Sequence, residues 1–275
     1  MTLRGAALVV TGMLLAAPLQ AQQWDLRIAM DDKAYAAAQS EQQERGMYVV
    51  DQAIYDAGDG TPRYAALWRD DVVNVPVIRA GLDVDRFYRA SIAVVDQSYR
   101  MIDITVGVVG GAALYGGRWL RPYDRGHGSR YRQSQRELRR ALRSGNTRIT
   151  SIAPFLVDGR LQLASSFEEF RDGTTVGLVD AKEAKLRRID KKNRANGYEL
   201  MQLRAWTKGK SLRYVALWHK AEKPEARVSP LLIARARVST LMQVEQRFRS
   251  QGIVPQGFSI LPGETPAISV WAISR

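Results

Sequence analysis

RYVALW at positions 213–218 and RYAALW at positions 63–68 match at five of six residues, and the two copies stand 150 residues apart. Two further tryptophans keep related intervals, Trp119 lying 51 residues after Trp68 and Trp271 lying 53 after Trp218. The 99 residues from Trp119 to Trp218 leave space for one copy without a tryptophan. A recurrence near 50 residues suits one supersecondary unit and is too short for an independent domain, so it points to a repeat architecture.

Aligning the tryptophans brings glycines into step. Gly46, Gly145, Gly197 and Gly252 each follow a helix-like segment, with Ser98 at the same point of the second unit. Glycine suits the residue past a helix end, where the backbone turns left-handed. The segments are DDKAYAAAQSEQQER, DVDRFYRASIAVVDQ, SRYRQSQRELRRALRS, AKEAKLRRIDKKNRAN and STLMQVEQRFRSQ. In the last, Leu241, Val244 and Phe248 recur at helical spacing behind Ser239, read as an N-cap. After each helix comes an alternating stretch such as MYVVDQAIY, YRMIDITVGVV, TRITSIAPFLV or YELMQLRAW, which reads as a strand. A short glycine-containing turn then leads into a second strand ending at the tryptophan position, which makes a hairpin. Ahead of the helices, QWDLRIAM, NVPVIRA, TTVGLV and PLLIARARV suggest a further strand in at least four units.

The expected fold is therefore α+β: tandem strand-helix-strand-strand repeats of about 50 residues, small antiparallel sheets backed by helices. Five units are expected in one domain over 22–275, at 22–70, 71–121, 122–169, 170–221 and 222–275. The third departs most, offering LQLASSF (161–167) in place of a tryptophan strand, and a loosely packed middle unit is expected there. In YVALW, Tyr214, Ala216 and Trp218 point one way and Val215 and Leu217 the other. One face can cover its own helix and the other a neighbouring unit or a ligand. The repeat-defining aromatics Tyr64, Trp68, Trp119, Tyr214, Trp218 and Trp271 read as core, since large aromatics supply most of the area a small sheet can bury; stacking on a sugar or peptide is the other reading.

The chain opens MTLRGAALVVTGMLLAAPLQAQQW, with Arg4 ahead of an apolar run from Ala6 to Ala17 and small residues leading to Ala21. That is the pattern of a signal peptide over 1–21, cleaved before Gln22. The apolar run is shorter than the ~20 residues a spanning helix needs, so a secreted or periplasmic soluble protein is expected. There is no cysteine, which excludes a disulfide framework and leaves stability to a packed core. Removing Arg4 leaves 40 lysines and arginines against 28 acidic residues, a charge of +12 that favours anionic partners. Nine arginines (118, 121, 125, 130, 132, 136, 139, 140, 143) face only Asp124 and Glu137 over 118–143, and a second basic run covers Lys182 to Arg194. A solvated helix face accounts for such a run; so does a footprint for an acidic partner, carried by Arg121, Arg125, Arg130, Arg132, Arg136, Arg139, Arg140 and Arg143.

RGMYVVDQAIYDAGDGTPRYAALW (45–68) and NGYELMQLRAWTKGKSLRYVALW (196–218), and more weakly 99–119 and 250–271, resemble the bacterial tandem repeat of polyglycine hydrolases and related secreted serine hydrolases. The resemblance implies a curved, half-barrel-like array serving interaction. In hydrolases that carry the repeat, catalysis belongs to a separate carboxy-terminal domain resembling β-lactamases. With Arg275 directly after the last repeat, no such domain is expected.

Catalytic motifs are missing from the repeats themselves. Ser-x-x-Lys and Gly-x-Ser-x-Gly do not occur, and TKGK at 207–210 reads as a hairpin turn. Only His127 and His219 could serve as bases or ligands. His127 lies near Asp124 and Ser129, too close in sequence for a triad, between two glycines that suggest a flexible link. Asp31–Asp32, Asp70–Asp71 and Glu168–Glu169 read as caps and solvated charges at element boundaries. No metal or cofactor is expected. The reading is an exported, non-catalytic repeat protein that binds an envelope or extracellular protein, peptide or anionic polymer. The alternative is a secreted serine-hydrolase-related protein acting on peptide bonds or assisting such an enzyme. Nucleic acid ranks below both, since no recognition module is visible.

Overall fold

The computed structural model describes residues 22–121, 126–144, 147–169, 175–220, 231–261 and 267–273. The expected leader over 1–21, Arg125 and Gly145 lie outside these residues. Unit one holds β1 (Trp24–Met30), α1 (Asp32–Glu44), β2 (Tyr48–Asp56) and β3 (Pro62–Arg69). Unit two holds β4 (Val77–Leu82), α2 (Val84–Val95), β5 (Arg100–Val109) and β6 (Ala112–Leu120). Unit three holds β7 (His127–Gln133), α3 (Gln135–Ser144), β8 (Thr147–Val157) and β9 (Arg160–Glu169). Unit four holds β10 (Thr175–Ala181), α4 (Glu183–Ala195), β11 (Tyr198–Lys208) and β12 (Ser211–Lys220). Unit five holds β13 (Leu231–Arg237), α5 (Leu241–Ser250), β14 (Pro255–Leu261) and β15 (Ala267–Ile273).

Local chemistry sets the helix limits. Asp31 and Asp83 accept the N–H of Ala34 (2.7 Å) and Arg86 (2.8 Å), satisfying donors that a helix start leaves open. Past the helix ends, Gly46, Gly197 and Gly252 take φ of 72°, 74° and 63°, and Ser98 adopts 63° in the glycine's place. Two starts differ from expectation. The third helix begins at Gln135, six residues after Ser129, because Ser134 and Glu137 form a reciprocal capping box: the Glu137 carboxylate accepts from Ser134 N at 2.7 Å. The residues before it, including His127, are strand β7 rather than a flexible link. Ser239 is not an N-cap, since it sits inside a 3₁₀ turn (Val238–Thr240) and α5 starts at Leu241 without a side-chain cap.

Each unit folds one antiparallel three-stranded sheet with its last strand in the middle, the first strand on one side and the second on the other. Trp68, Trp119, Phe167, Trp218 and Trp271 stand opposite Asp25, Val77, Gly128, Val176 and Ile233, so Phe167 is the third unit's equivalent of the tryptophan. That unit is not loosely packed: Ser165 and Ser166 are fully buried, bonded to Gln133 (2.9 Å) and Thr150 (2.7 Å). These buried hydroxyls stand where units one and four have Ala66–Leu67 and Ala216–Leu217, and hydrogen bonding satisfies their polar atoms in the interior.

The two faces of each sheet meet different helices. Tyr214, Ala216 and Trp218 cover Leu186 of α4, together with Leu231, Leu261 and Trp271 of unit five. Val215, Leu217 and Trp206 cover Leu138 and Ala141 of α3. Every helix is thus clamped between its own sheet and the next one: α1 with unit two and α2 with unit three. The curvature carries through to closure, because Leu241 and Phe248 of α5 pack on Trp24, Leu26 and Leu67 of unit one. Arg249 donates to Trp24 O (2.8 Å) and Arg69 to Gln256 Oε1 (2.8 Å) across the same seam. The five sheets stay separate, so the closed ring is no barrel.

The second strand of each unit lines the axis and carries a bulge, after which Asp51, Asp103, Ser151, Gln202 and Gly257 occupy one equivalent position. A sheet edge left with open N–H groups is a liability. Here side chains of the following unit cap the edge: Ser151 accepts from Ile104 N (3.0 Å), Gln202 from Ile152 N (2.7 Å), Ser259 from Ala205 N (2.9 Å) and Asp51 from Phe258 N (2.8 Å).

Candidate functional site

Six arginines of unit three project from two adjacent elements. Arg130 and Arg132 leave β7, and Arg136, Arg139, Arg140 and Arg143 leave α3; all six are exposed. The helix turns Leu138 and Ala141 into the core, which forces the intervening charged positions outward. Arg130, Arg132 and Arg140, with Gln133, Glu137, Ala141 and Ser144, line a cleft of about 420 Å³. Among the described residues none of the six arginines makes an ion pair within 4.0 Å. The only carboxylate on the helix, Glu137, lines the same cleft and is hydrogen-bonded in the capping box; the Ser134 N–H and hydroxyl first, and the Arg140 and Arg130 charges after them, hold it below the usual carboxylate range. Arg130 rests over the Phe167 ring at 5.1 Å and Arg139 donates to Gln135 Oε1 at 3.2 Å, so both forks are positioned without being neutralised. Such guanidinium groups can take phosphate, sulfate or carboxylate oxygens in paired hydrogen bonds. Arg121 is directed elsewhere: it donates to Gln97 O at 2.7 Å and stacks on Tyr99 at 4.4 Å, both in unit two.

The sequence reading missed a buried polar cluster on the axis. Arg204 donates to Asp51 Oδ2 (2.5 Å), to Phe258 O (2.9 Å) and to Asp103 Oδ2 (3.3 Å), joining unit four to units one, five and two. Asp103 also accepts from Ser151 (2.6 Å) and Gln202 (3.0 Å). Burial pulls the Arg204 guanidinium down, but the two carboxylates more than offset this and hold it above its ordinary value. Arg118 beside them is pushed down by burial, opposed by Asp103 and Asp51. The residual signal in the sequence was the polar residue recurring at one register position of otherwise apolar strands.

A second cluster corrects the reading of Glu168 as a solvated charge. It is 4% exposed and pairs with Arg100 and with Arg148 (3.6 Å). Arg148 Nη2 lies 2.8 Å from His219 Nδ1, and His219 Nε2 lies 2.9 Å from Ile149 O. With Nδ1 accepting from the arginine, Nε2 carries the proton. Burial first, and Arg148 second, lower the His219 pKa to about 4, so the ring stays neutral. Asp31 behaves as expected, as a cap, and Asp71 pairs with Arg69. Among the described residues no group of three or more His, Cys, Asp or Glu converges as a metal site, and no helix is long and apolar enough to cross a membrane.

The architecture defines the class: a ring of tandem βαββ repeats, with buried ion clusters joining the units on the inside and an exposed arginine face on the rim. The family model of the polyglycine hydrolase-like structural repeat matches residues 21–71 and 180–221, and the chain carries that repeat. The two segments fall on the units where the sequence resemblance is strongest. A comparison with curated proteins finds no match.

Proposed function

We propose that the protein is an exported, non-catalytic scaffold that binds an anionic envelope or extracellular partner through the cleft between β7 and α3. One observation carries this reading: Arg130 and Arg132 of β7 and Arg140 of α3 line one cleft, Arg136, Arg139 and Arg143 are exposed on the same helix, and none of the six makes an ion pair among the described residues. Charge left unpaired on a folded surface costs self-repulsion, and an external anion removes that cost. The leader pattern supports export, and the lack of a Ser-x-x-Lys or Gly-x-Ser-x-Gly motif supports binding over hydrolysis.

The test mixes purified protein with peptidoglycan, lipopolysaccharide and candidate envelope proteins at low and high salt. Salt-sensitive binding to at least one is expected, weakened at least tenfold, or about 1.4 kcal/mol, in Arg132→Glu/Arg140→Glu. Binding that ignores both salt and the double substitution refutes the cleft. A serine-reactive label separates the hydrolase alternative, since a stoichiometric adduct would replace this reading with a catalytic one.

A further inference from the structure

The cationic surface does not stop at unit three. Aligned on the buried helix residues Gln42, Val94, Ala141, Asn193 and Phe248, three rim positions can be compared around the ring. They read Ala37, Ser40, Glu41 in α1 and Arg89, Ile92, Ala93 in α2. In α3 they are Arg136, Arg139, Arg140, in α4 Arg188, Lys191, Lys192, and in α5 Gln243, Gln246, Arg247. Only two adjacent helices are cationic at all three. Lys and Arg minus Asp and Glu over each helix gives −2, +1, +3, +4 and +1 from α1 to α5.

Pairing sharpens the contrast. In unit one Arg27 binds Asp25 and Glu41, Arg63 binds Asp59, and Arg69 binds Asp71. In α4, Arg187 and Arg194 are taken by Glu183 and Asp190, but Lys185, Arg188, Lys191 and Lys192 are exposed with no ion pair among the described residues. Arg136, Arg140 and Arg143 form one helical stripe and Lys185, Arg188 and Lys192 another, each about 10 Å long. The stripes flank the sheet of unit four, since α3 packs on its one face and α4 on the other.

We infer that α3 and α4 together form one basic arc that binds a linear acidic polysaccharide running across units three and four; this rests on the anionic-partner reading of the unit-three cleft. Two separated stripes suit an extended chain of repeated charges, where a single small anion would occupy the cleft alone. The exposed large apolar side chains, Val73, Val75, Tyr88, Ile92, Met201 and Met242, all lie off β7, α3 and α4, so the arc offers nothing to insert into a bilayer. It also lacks the exposed aromatic platform on which single-stranded nucleic acid stacks.

Heparin is the probe, as the full-length chain and as a tetrasaccharide too short to leave the cleft, with the protein otherwise intact. Arg188→Glu/Lys191→Glu/Lys192→Glu is expected to weaken full-length heparin by about tenfold or more and to flatten the slope of log K against log salt by roughly two to three. The tetrasaccharide should bind that variant as it binds the wild type. Arg136→Glu/Arg139→Glu/Arg140→Glu should weaken both probes. Unchanged full-length heparin binding in the α4 variant would overturn the arc and leave the cleft standing, whereas failure of the wild type to bind either probe would overturn the cleft itself. Tighter binding to single-stranded DNA, or to vesicles of anionic lipid, at matched charge would overturn the assignment to a polysaccharide. All six substituted positions are exposed, and unchanged melting curves are expected to show that both variants fold.

Discussion

Replacing Arg204 by methionine removes one side chain on which four of the five units converge. Methionine keeps the length of the stem but deletes the bonds to Asp51 (2.5 Å), Phe258 O (2.9 Å) and Asp103 (3.3 Å). Asp51 and Asp103 are 3% and 5% exposed, so neither carboxylate can recover its hydration. Breaking a buried pair in this way costs about 3–5 kcal/mol. For a chain of this length that is a fall in Tm of about 6–20 °C. Thermal and urea unfolding of the purified protein at pH 7 would measure it. The double variant Asp51→Asn/Arg204→Met separates charge from packing. Asparagine keeps an acceptor for Phe258 N, and Arg118 is left to face Asp103. If uncompensated charge is the cause, the double variant is more stable than Arg204→Met alone. A single variant within about 0.5 kcal/mol of wild type, or a double variant less stable than the single, would refute the idea that this ion cluster ties the ring together.

His219 gives a pH signature: its folded pKa is lowered to about 4 from 6.5, so the unfolded chain binds the extra proton and stability is lost as pH falls through that window. Urea unfolding should show about 2 kcal/mol less stability at pH 5 than at pH 7 from this group, and the difference between wild type and His219→Gln isolates it. Gly107→Ala should destabilise by about 1–3 kcal/mol in the same assay, because its Cβ would lie 2.1 Å from the backbone oxygen of Ile54 on the adjoining axial strand. Gly177→Ala should cost less, since the obstructing atoms belong to the Leu142 side chain, which can turn aside. Ser134→Ala dismantles the capping box and should lower stability by about 1 kcal/mol.

Much of this architecture was legible because the repeat is enforced locally. A tryptophan opposite the first strand and a left-handed residue after each helix are single-residue requirements, and they survive divergence at Trp68, Trp218, Gly46 and Gly197. β7 carries no such signal: HGSRYRQ lies on the rim, buries only Gln133 fully, and so shows no apolar alternation. The arginines of the cleft are visible as a run, but that none of them forms an ion pair among the described residues is not, because the spacing leaves Glu137 free to pair with Arg140 and only the fold shows it hydrogen-bonded to Ser134. Arg204 left no periodic trace, since the equivalent positions hold Ala53, Thr105, Ala153 and Ser259. An irregular residue that serves the whole ring once cannot be found by looking for what recurs.

Closure also sat beyond the sequence, since it depends on the rotation between neighbouring units, which the helices set by their packing. It makes a strong demand. An open solenoid needs terminal repeats with polar outer faces, yet the outer face of unit one carries Leu26, Tyr55 and Leu67, and α5 presents Leu241 and Phe248 to it. Each end caps the other. A chain stopped after Lys220 would therefore expose apolar surface on units one and four at once, and would lose the Phe258 and Gln256 contacts to Asp51 and Arg69. Such a truncation should unfold without a cooperative transition or associate into larger species, as light scattering and urea titration would show. A monomeric truncation that unfolds cooperatively with about four fifths of the full chain's m-value would mean that the units fold additively and that the seam contributes little.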